Sequence, residues 1–516
     1  MKNPNENETT DSPERDSTTE TKAGRGFLVI SMAKVWFMVG GAAITFGLPF
    51  IFSQLHESGR SLYGQYYDIN NTLSIFSMVI IGSLLPGVSR FAAFPSISSE
   101  MLLSQARKAA LLLGILLLLL FGIGGEFYAH ERGHPHLSSA YLYGGLICCA
   151  YAFYAIHIGI LNGRKEFKKQ AVFDAIFTCL KVTLVLGAAT LGFGVSGAFA
   201  GFALAAISIA ILSARSINNR NNANEPVVGF KAYTAWLILY TLAFNLAFKV
   251  DALILRPQLA MLLQDNAMSD ALMGEYGIAV SLSRLPWQGT IALTFVIFPM
   301  ISSATFKQDR EQTQRYIENT LRYALILICA VALPLSSRPD FIFDCLPGYQ
   351  EGAMVLTYMA PAYVCFSIAN IHNTILMSSG RAKTALALMI ITLGAIVITF
   401  MLTLSDVKDP NIVLERAGQM TLISFAFVCL VGALLIRSIF GCYLAVGSLL
   451  RIILVMAVLL EASRLLTLGA LWMKLCVLGA LPFLFIGGLW LTKELNATDK
   501  QRFKRVFLNR MKAKAE

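Results

Sequence analysis

Six ionisable residues stand inside apolar stretches: the cations Lys34, Lys181, Lys249 and Arg284 and the acids Asp174 and Asp251. Burying such a side chain in hydrocarbon costs roughly 3 kcal/mol even on a lenient insertion scale, so these residues normally line a polar cavity or a solute path. They are densest between Phe244 and Pro299, in FNLAFKVDALILRP and, after a polar break, YGIAVSLSRLPWQGTIALTFVIFP. Cations outnumber acids, and Arg and Lys pair with phosphate, so the chemistry implied is recognition of an anionic solute, with a pyrophosphate head as the candidate. Asp174 and Asp251 are candidates for coupling a proton or a sodium ion, or for acting as charge partners. Lys181 follows Asp174 by two turns on about the same helical face, which allows both to look into one cavity. Lys249 and Asp251, two apart, cannot fully share a face. Trp36, Asn245, Trp287 and Gln288 lie nearby in sequence and supply the aromatic and amide groups that stack on or hydrogen-bond sugars.

The elements that must position these residues are membrane spans. Of the 516 residues, 56% are hydrophobic and 14% charged, against about 25% charged in an ordinary soluble chain. A spanning helix needs about 20 largely apolar residues. That measure places spans near 26–53, 71–95, 107–127, 139–161, 170–192 and 195–214, then near 230–254, 277–302, 322–337, 354–378, 384–404, 417–437, 446–463 and 475–492. The fold class expected is therefore an all-α polytopic membrane protein of about 14 helices. The net charge of +11 would suggest nucleic acid in a soluble chain. Here the basic residues sit mostly between spans, where inside-loop bias accounts for them, so no nucleic-acid partner is expected.

With a cytoplasmic N-terminus, the even-numbered loops and both tails hold roughly 30 Lys and Arg against about 8 in the odd-numbered loops, as the positive-inside rule requires. Both termini are thus expected in the cytoplasm, and the resemblance given below implies a bacterial inner membrane. The two halves echo each other. Tyr63-Gly64 opens a span closing in PGVSR at 86–90, and Tyr276-Gly277 opens one closing in FPMIS at 298–302; ILNGRKEF at 160–167 matches ILMSSGRAK at 375–383. The offset is roughly 215 residues, the scale of a six-span repeat, and the copies point the same way, which implies two parallel bundles with a cavity at their interface. The organisation expected is a disordered tail (1–24), a first six-helix bundle (25–215), a cytoplasmic linker (216–229), a second bundle (230–440), two further spans (441–492) and a basic amphipathic tail (493–516) suited to anionic lipids.

The remaining chemistry-bearing residues point to little. Nine cysteines are scattered through the spans with no CxxC, so neither a disulfide frame nor a zinc site is expected. HERGHPH at 130–136 is a polar loop with no further ligand in reach, and no metal or cofactor is expected. His157 and His372 occupy corresponding places just before the two matched turns. The longest outside loop, RPQLAMLLQDNAMSDALMGE, has an ordinary connector length, which argues against an enzyme with an external catalytic loop.

The order of motifs adds a resemblance. The Tyr-Gly opening of span two and its PGVSR end, LNGRKEFKKQ with a following span ending in GFGVSGAFAGF, the acid in FKVDALIL, RLPWQGTIALTFVIFPMIS, and CLPGYQEGAMVL are together similar to the polysaccharide-transporter branch of the multidrug/oligosaccharidyl-lipid/polysaccharide exporter (MOP) superfamily. It covers about residues 26–440. The resemblance implies a flippase that carries an undecaprenyl-pyrophosphate-linked oligosaccharide from the inner to the outer leaflet by alternating access, for surface polysaccharide such as O-antigen. Glycosyltransferases and a polysaccharide polymerase are the partners it implies. Two relatives are alternatives. The peptidoglycan-precursor flippase has an arginine-rich first span, where this chain offers only Lys34. An ion-coupled multidrug exporter would want acids in its first bundle, where Asp174 is the only deep one.

Overall fold

The computed structural model describes residues 36–94, 96–217, 227–346, 348–404, 407 and 409–495. Among them there are helices and turns and no strand. In chain order the helices are α1 (Trp36–Leu55) and α2 (Gly59–Ala92); α3 (Ser99–Glu131), which passes through a π turn at Leu120–Gly124; α4 (Ser138–Gly163), α5 (Phe167–Thr190) and α6 (Gly194–Arg215); α7 (Phe230–Leu263), α8 (Asn266–Ser283) and α9 (Leu285–Phe306); α10 (Arg310–Ser337), the short α11 (Pro339–Phe343), α12 (Gly352–Ser378) and α13 (Ala382–Leu404); and α14 (Pro410–Phe440), α15 (Val446–Arg464) and α16 (Leu471–Leu491). Thirteen helices among the described residues are long and apolar enough to cross a membrane. The further span expected near 277–302 falls on α8 and α9, which are separated at Arg284.

Two segments differ from the expectation. The polar stretch 256–275 is not a long loop: α7 runs to Leu263 and α8 starts at Asn266. Gln264, in the left-handed region (φ 51°), turns the chain, and the Asp265 side chain caps α8 by accepting from the amides of Ala267 and Met268. The basic stretch 307–322 is likewise helical from Arg310, with Thr313 and Ile317 buried on one face. In both cases a polar composition belongs to a helix end whose polar groups find partners.

The chain divides into two compact units, Met1–Leu48 with Phe76–Thr241 and Pro49–Ile75 with Leu242–Glu516. Helices α1, α2 and α7 each contribute to both. In the first unit α4 is the central helix, packed on α3 and α6. Its small residues permit this: a Cβ at Gly159 would sit 2.8 Å from the Leu85 carbonyl of α2, so only glycine allows that approach. In the second unit α12 packs against α14, α9 and α8. Helices α15 and α16 share an apolar core with α10 and α11, built from Leu325, Leu333, Phe341, Ile452, Phe485 and Leu489.

The two matched turns fold alike. After α4, Lys165 is left-handed (φ 60°) and the Glu166 amide donates to Leu161; after α12, Gly380 is left-handed (φ 80°) and the Arg381 amide donates to Leu376, both at 2.8 Å. Each is the glycine-type helix closure in which the amide beyond the left-handed residue bonds five residues back.

The last helix is moored by one carboxylate. Glu494 accepts from Arg322 Nε at 2.7 Å, from Arg451 at 3.2 Å and from the Ser448 hydroxyl. Burial pushes its carboxyl up, but Ser448, Arg322 and Arg451 outweigh burial and hold it below its ordinary value of 4.5. A depressed carboxylate contributes stability above its unfolded value and loses it as pH falls through the folded one. Glu494→Gln should therefore lower the melting temperature of the detergent-solubilised protein at pH 7. Its deficit relative to the parent should shrink as pH drops below about 4.5.

Candidate functional site

Of the expected site residues, Lys181 and Asp174 stand in the first unit and Lys249, Asp251, Arg284, Asn245, Trp287 and Gln288 in the second. Lys34 lies outside the described residues. Trp36 begins α1 and is exposed.

In the first unit the shared face of α5 is divided between two neighbours. Asp174 is buried and accepts from the Tyr154 hydroxyl of α4 at 2.8 Å. Lys181, two turns on, holds its ammonium 3.9 Å from the centre of the Phe202 ring of α6. Phe202 packs edge-on against Tyr151, which packs in the same way on Phe177. Among the described residues Lys181 takes no carboxylate partner, and the Phe202 ring faces its ammonium.

In the second unit Lys249 and Arg284 share a neighbourhood through the α7 backbone. Lys249 donates to the Ser74 hydroxyl, and its own carbonyl accepts from Asn71 Nδ2 at 3.2 Å. The preceding carbonyl, that of Phe248, accepts from Arg284 Nη2 at 2.9 Å, while Arg284 Nε donates to the Tyr363 hydroxyl at 3.0 Å and the guanidinium lies 4.3 Å from the Phe248 ring. Arg284 occupies the joint between α8 and α9, where Pro286 in the first turn of α9 cannot donate to the preceding carbonyls. Its guanidinium therefore braces a helix break. Asp251 is buried, and its Oδ2 accepts from the Tyr276 hydroxyl at 2.7 Å while Oδ1 has no hydrogen-bond partner among the described residues. Trp287 packs on Phe248 with ring centres 4.7 Å apart, and its indole N–H is buried without a partner among the described residues. Asn245 is buried and Gln288 half-buried.

Sequence reasoning missed the groups that hold these residues: Asn71 and Ser74 on α2, and the hydroxyls of Tyr276 and Tyr363. One signal was available. Tyr63, Tyr67, Asn71 and Ser74 recur at helical spacing along α2 and mark a polar stripe on an otherwise apolar span. His157 and His372 are both packed polar residues, on Ser213 (3.1 Å) and on Tyr443 (2.9 Å) respectively. In the 130–136 loop, His134 and His136 stack edge-to-face.

This arrangement defines a class: a multi-pass helical membrane protein with the fold of the MOP-superfamily transporters. The chain is similar to an outward-facing multidrug resistance MATE family transporter (TM-score 0.62, 14% identity, 81% of this chain and 96% of the other). It is also similar to a MOP superfamily transporter from Pyrococcus furiosus, whose description speaks of a binding pocket of reversed polarity (TM-score 0.58, 14% identity, 81% and 96%). The lipid II flippase MurJ, in an inward closed conformation, is a further likeness (TM-score 0.65, 13% identity, 91% and 98%). At these identities the likenesses establish the fold alone. Residues 87–342 match the family model described as polysaccharide biosynthesis protein. That match spans the middle of the chain, and the solved structures share its fold. Comparison with curated proteins gives no match.

The geometry separates the cations by role. Arg284→Lys, which retains charge but loses the planar fork, should strand either the Phe248 carbonyl or the Tyr363 hydroxyl, at a cost of roughly 1–3 kcal/mol. Lys181→Met, which removes the ammonium over Phe202 but keeps an unbranched side chain of similar length, should leave the melting temperature near that of the parent. Thermal unfolding in detergent, followed by tryptophan fluorescence, compares the two.

Proposed function

We propose that the protein is a flippase for an undecaprenyl-pyrophosphate-linked oligosaccharide, moving it from the inner to the outer leaflet of a bacterial cytoplasmic membrane by alternating access, for surface polysaccharide. The observation that carries the reading is Lys181: a cation in a membrane-spanning helix, faced by a ring and by no carboxylate among the described residues. Such a charge is favoured when an anionic cargo supplies the missing partner. Lys249, anchored at Ser74, is the second proposed phosphate contact, and Lys34 a third. The unpartnered indole N–H of Trp287, with Asn245, Gln288 and Trp36, is proposed for the sugars. Arg284 serves this reading by fixing the Phe248 carbonyl and hence the α7 segment that presents Lys249.

Of the two acids, Asp251 keeps a carboxylate oxygen without a donor and is the better candidate for coupling to a proton or sodium ion. Both termini are proposed to face the cytoplasm, with the basic C-terminal tail on anionic lipid, and glycosyltransferases and a polymerase as partners. The likeness to the lipid II flippase over 91% of this chain favours a second reading, in which the cargo is the peptidoglycan precursor.

Reconstituted vesicles carrying a fluorescent polyprenyl-pyrophosphate oligosaccharide in one set and labelled lipid II in another separate the two. The protein should expose the oligosaccharide lipid to an impermeant quencher, and Lys181→Gln with Lys249→Gln should slow this at least tenfold while the protein stays folded. Flipping of lipid II alone would replace the surface-polysaccharide reading with the second. Flipping of neither, with export of a cationic dye, would refute both.

A further inference from the structure

The Tyr-Gly motifs that open corresponding helices of the two repeats lie against each other. Gly64 of α2 abuts the Asp270 carbonyl of α8, and a Cβ there would overlap it; Gly277 of α8 lies under the Tyr67 ring of α2. A Cβ at Gly274 would sit 3.1 Å from the Arg60 carbonyl. At Gly64 and Gly274 backbone meets backbone, and at Gly277 a flat ring lies on bare backbone, which gives close approach with little interlocking of side chains.

Two buried acids border this seam, and each has one partner on either side of it. Asp270, 2% exposed, pairs with Arg256 of α7, and it accepts from Gln65 of α2 at 3.0 Å. Glu275, fully buried, accepts from the Gly352 amide of α12 at 3.1 Å and pairs with Arg60 of α2. If α2 withdrew, Asp270 would retain Arg256 and Glu275 would retain Gly352. Arg60, whose side chain is already 40% exposed, would pass to water. Removing the sole partner of a buried charge costs several kcal/mol, and double partnering avoids that cost in the open state. Only the first stretch of α2, Gly59–Ile75, belongs to the second unit; from Phe76 the helix belongs to the first.

We propose that this seam is a reversible latch between the two repeats. Arg60 and Gln65 clasp Glu275 and Asp270 when it is closed, and its release opens the cargo path at the end of the protein that carries the α7–α8 turn. The role in transport rests on the flippase reading, but the latch itself is measurable without cargo.

The test uses the full chain with its native cysteines replaced and spin labels at His56→Cys and Met268→Cys, both exposed and at this end of the fold. Electron–electron distances in vesicles should show a compact population in the parent. Arg60→Glu, on a partly exposed residue and so compatible with folding, should raise the long-distance population several-fold, and Arg60→Lys should not. Separately, Gln65→Glu, which sets a second carboxylate against Asp270 while Asp270 keeps Arg256, should raise the same population. Unchanged distances in Arg60→Glu and Gln65→Glu would overturn the latch. Shifted distances in a protein that flips no polyprenyl lipid would keep the latch and remove the flippase reading.

Discussion

Apolar surroundings offer no water to a charge, so every ionisable group in these helices must be satisfied by the protein or by something it carries. That constraint orders the second unit. Arg256 and Asp270, Arg60 and Glu275, Lys249 and Ser74, Asp251 and Tyr276, and Arg284 with Tyr363 and Phe248 are all pairings that bring one helix to another. Since side-chain packing between lipid-facing helices gains little from hydrophobicity, such polar contacts and close glycine approaches fix which helices meet and at what register. The helix break at Arg284 follows from the same rule. Pro286 withholds a donor at the joint, and the Arg284 guanidinium beside it ties the joint to α7 and α12 through Phe248 and Tyr363.

Most of the helices were legible in the sequence because hydropathy over a span is a local property. The bounds of α4, α5 and α6 fall within a few residues of those expected from apolar runs. What escaped was nonlocal. The stretch 256–275 reads as a loop because Arg256, Asp270 and Glu275 are polar, yet their partners lie on other helices, beyond any window of sequence. The basic stretch that opens α10 is similar: Arg322 at its end belongs to Glu494, more than a hundred residues away. The matched turns and the paired Tyr-Gly motifs were visible as an echo, but an echo cannot say that one copy of the motif touches the other.

The same distinction applies to the candidate site. That Lys181, Lys249 and Arg284 were anomalous was legible from their types alone. Whether each anomaly is resolved inside the protein was not, since Tyr363, Ser74 and Phe202 come from elsewhere in the chain. Asp174 and Lys181 show how a shared helical face still leaves two fates: one residue turns to a hydroxyl and the other to a ring.

A consequence for recognition follows from which cation is committed. Arg284, with the planar fork that binds a phosphate in two places at once, is tied to a backbone carbonyl and a tyrosine. Lys181, in contrast, is a compact point charge on a flexible stem. A carrier must release its cargo on the far side, and a site that clamped pyrophosphate with a rigid bidentate arginine would trade turnover for affinity. A lysine resting on an aromatic face holds an anion without fixing its orientation. On the proposed flippase reading, using the arginine for architecture and the lysines for contact is the division expected of a protein that moves a charged headgroup rather than storing it.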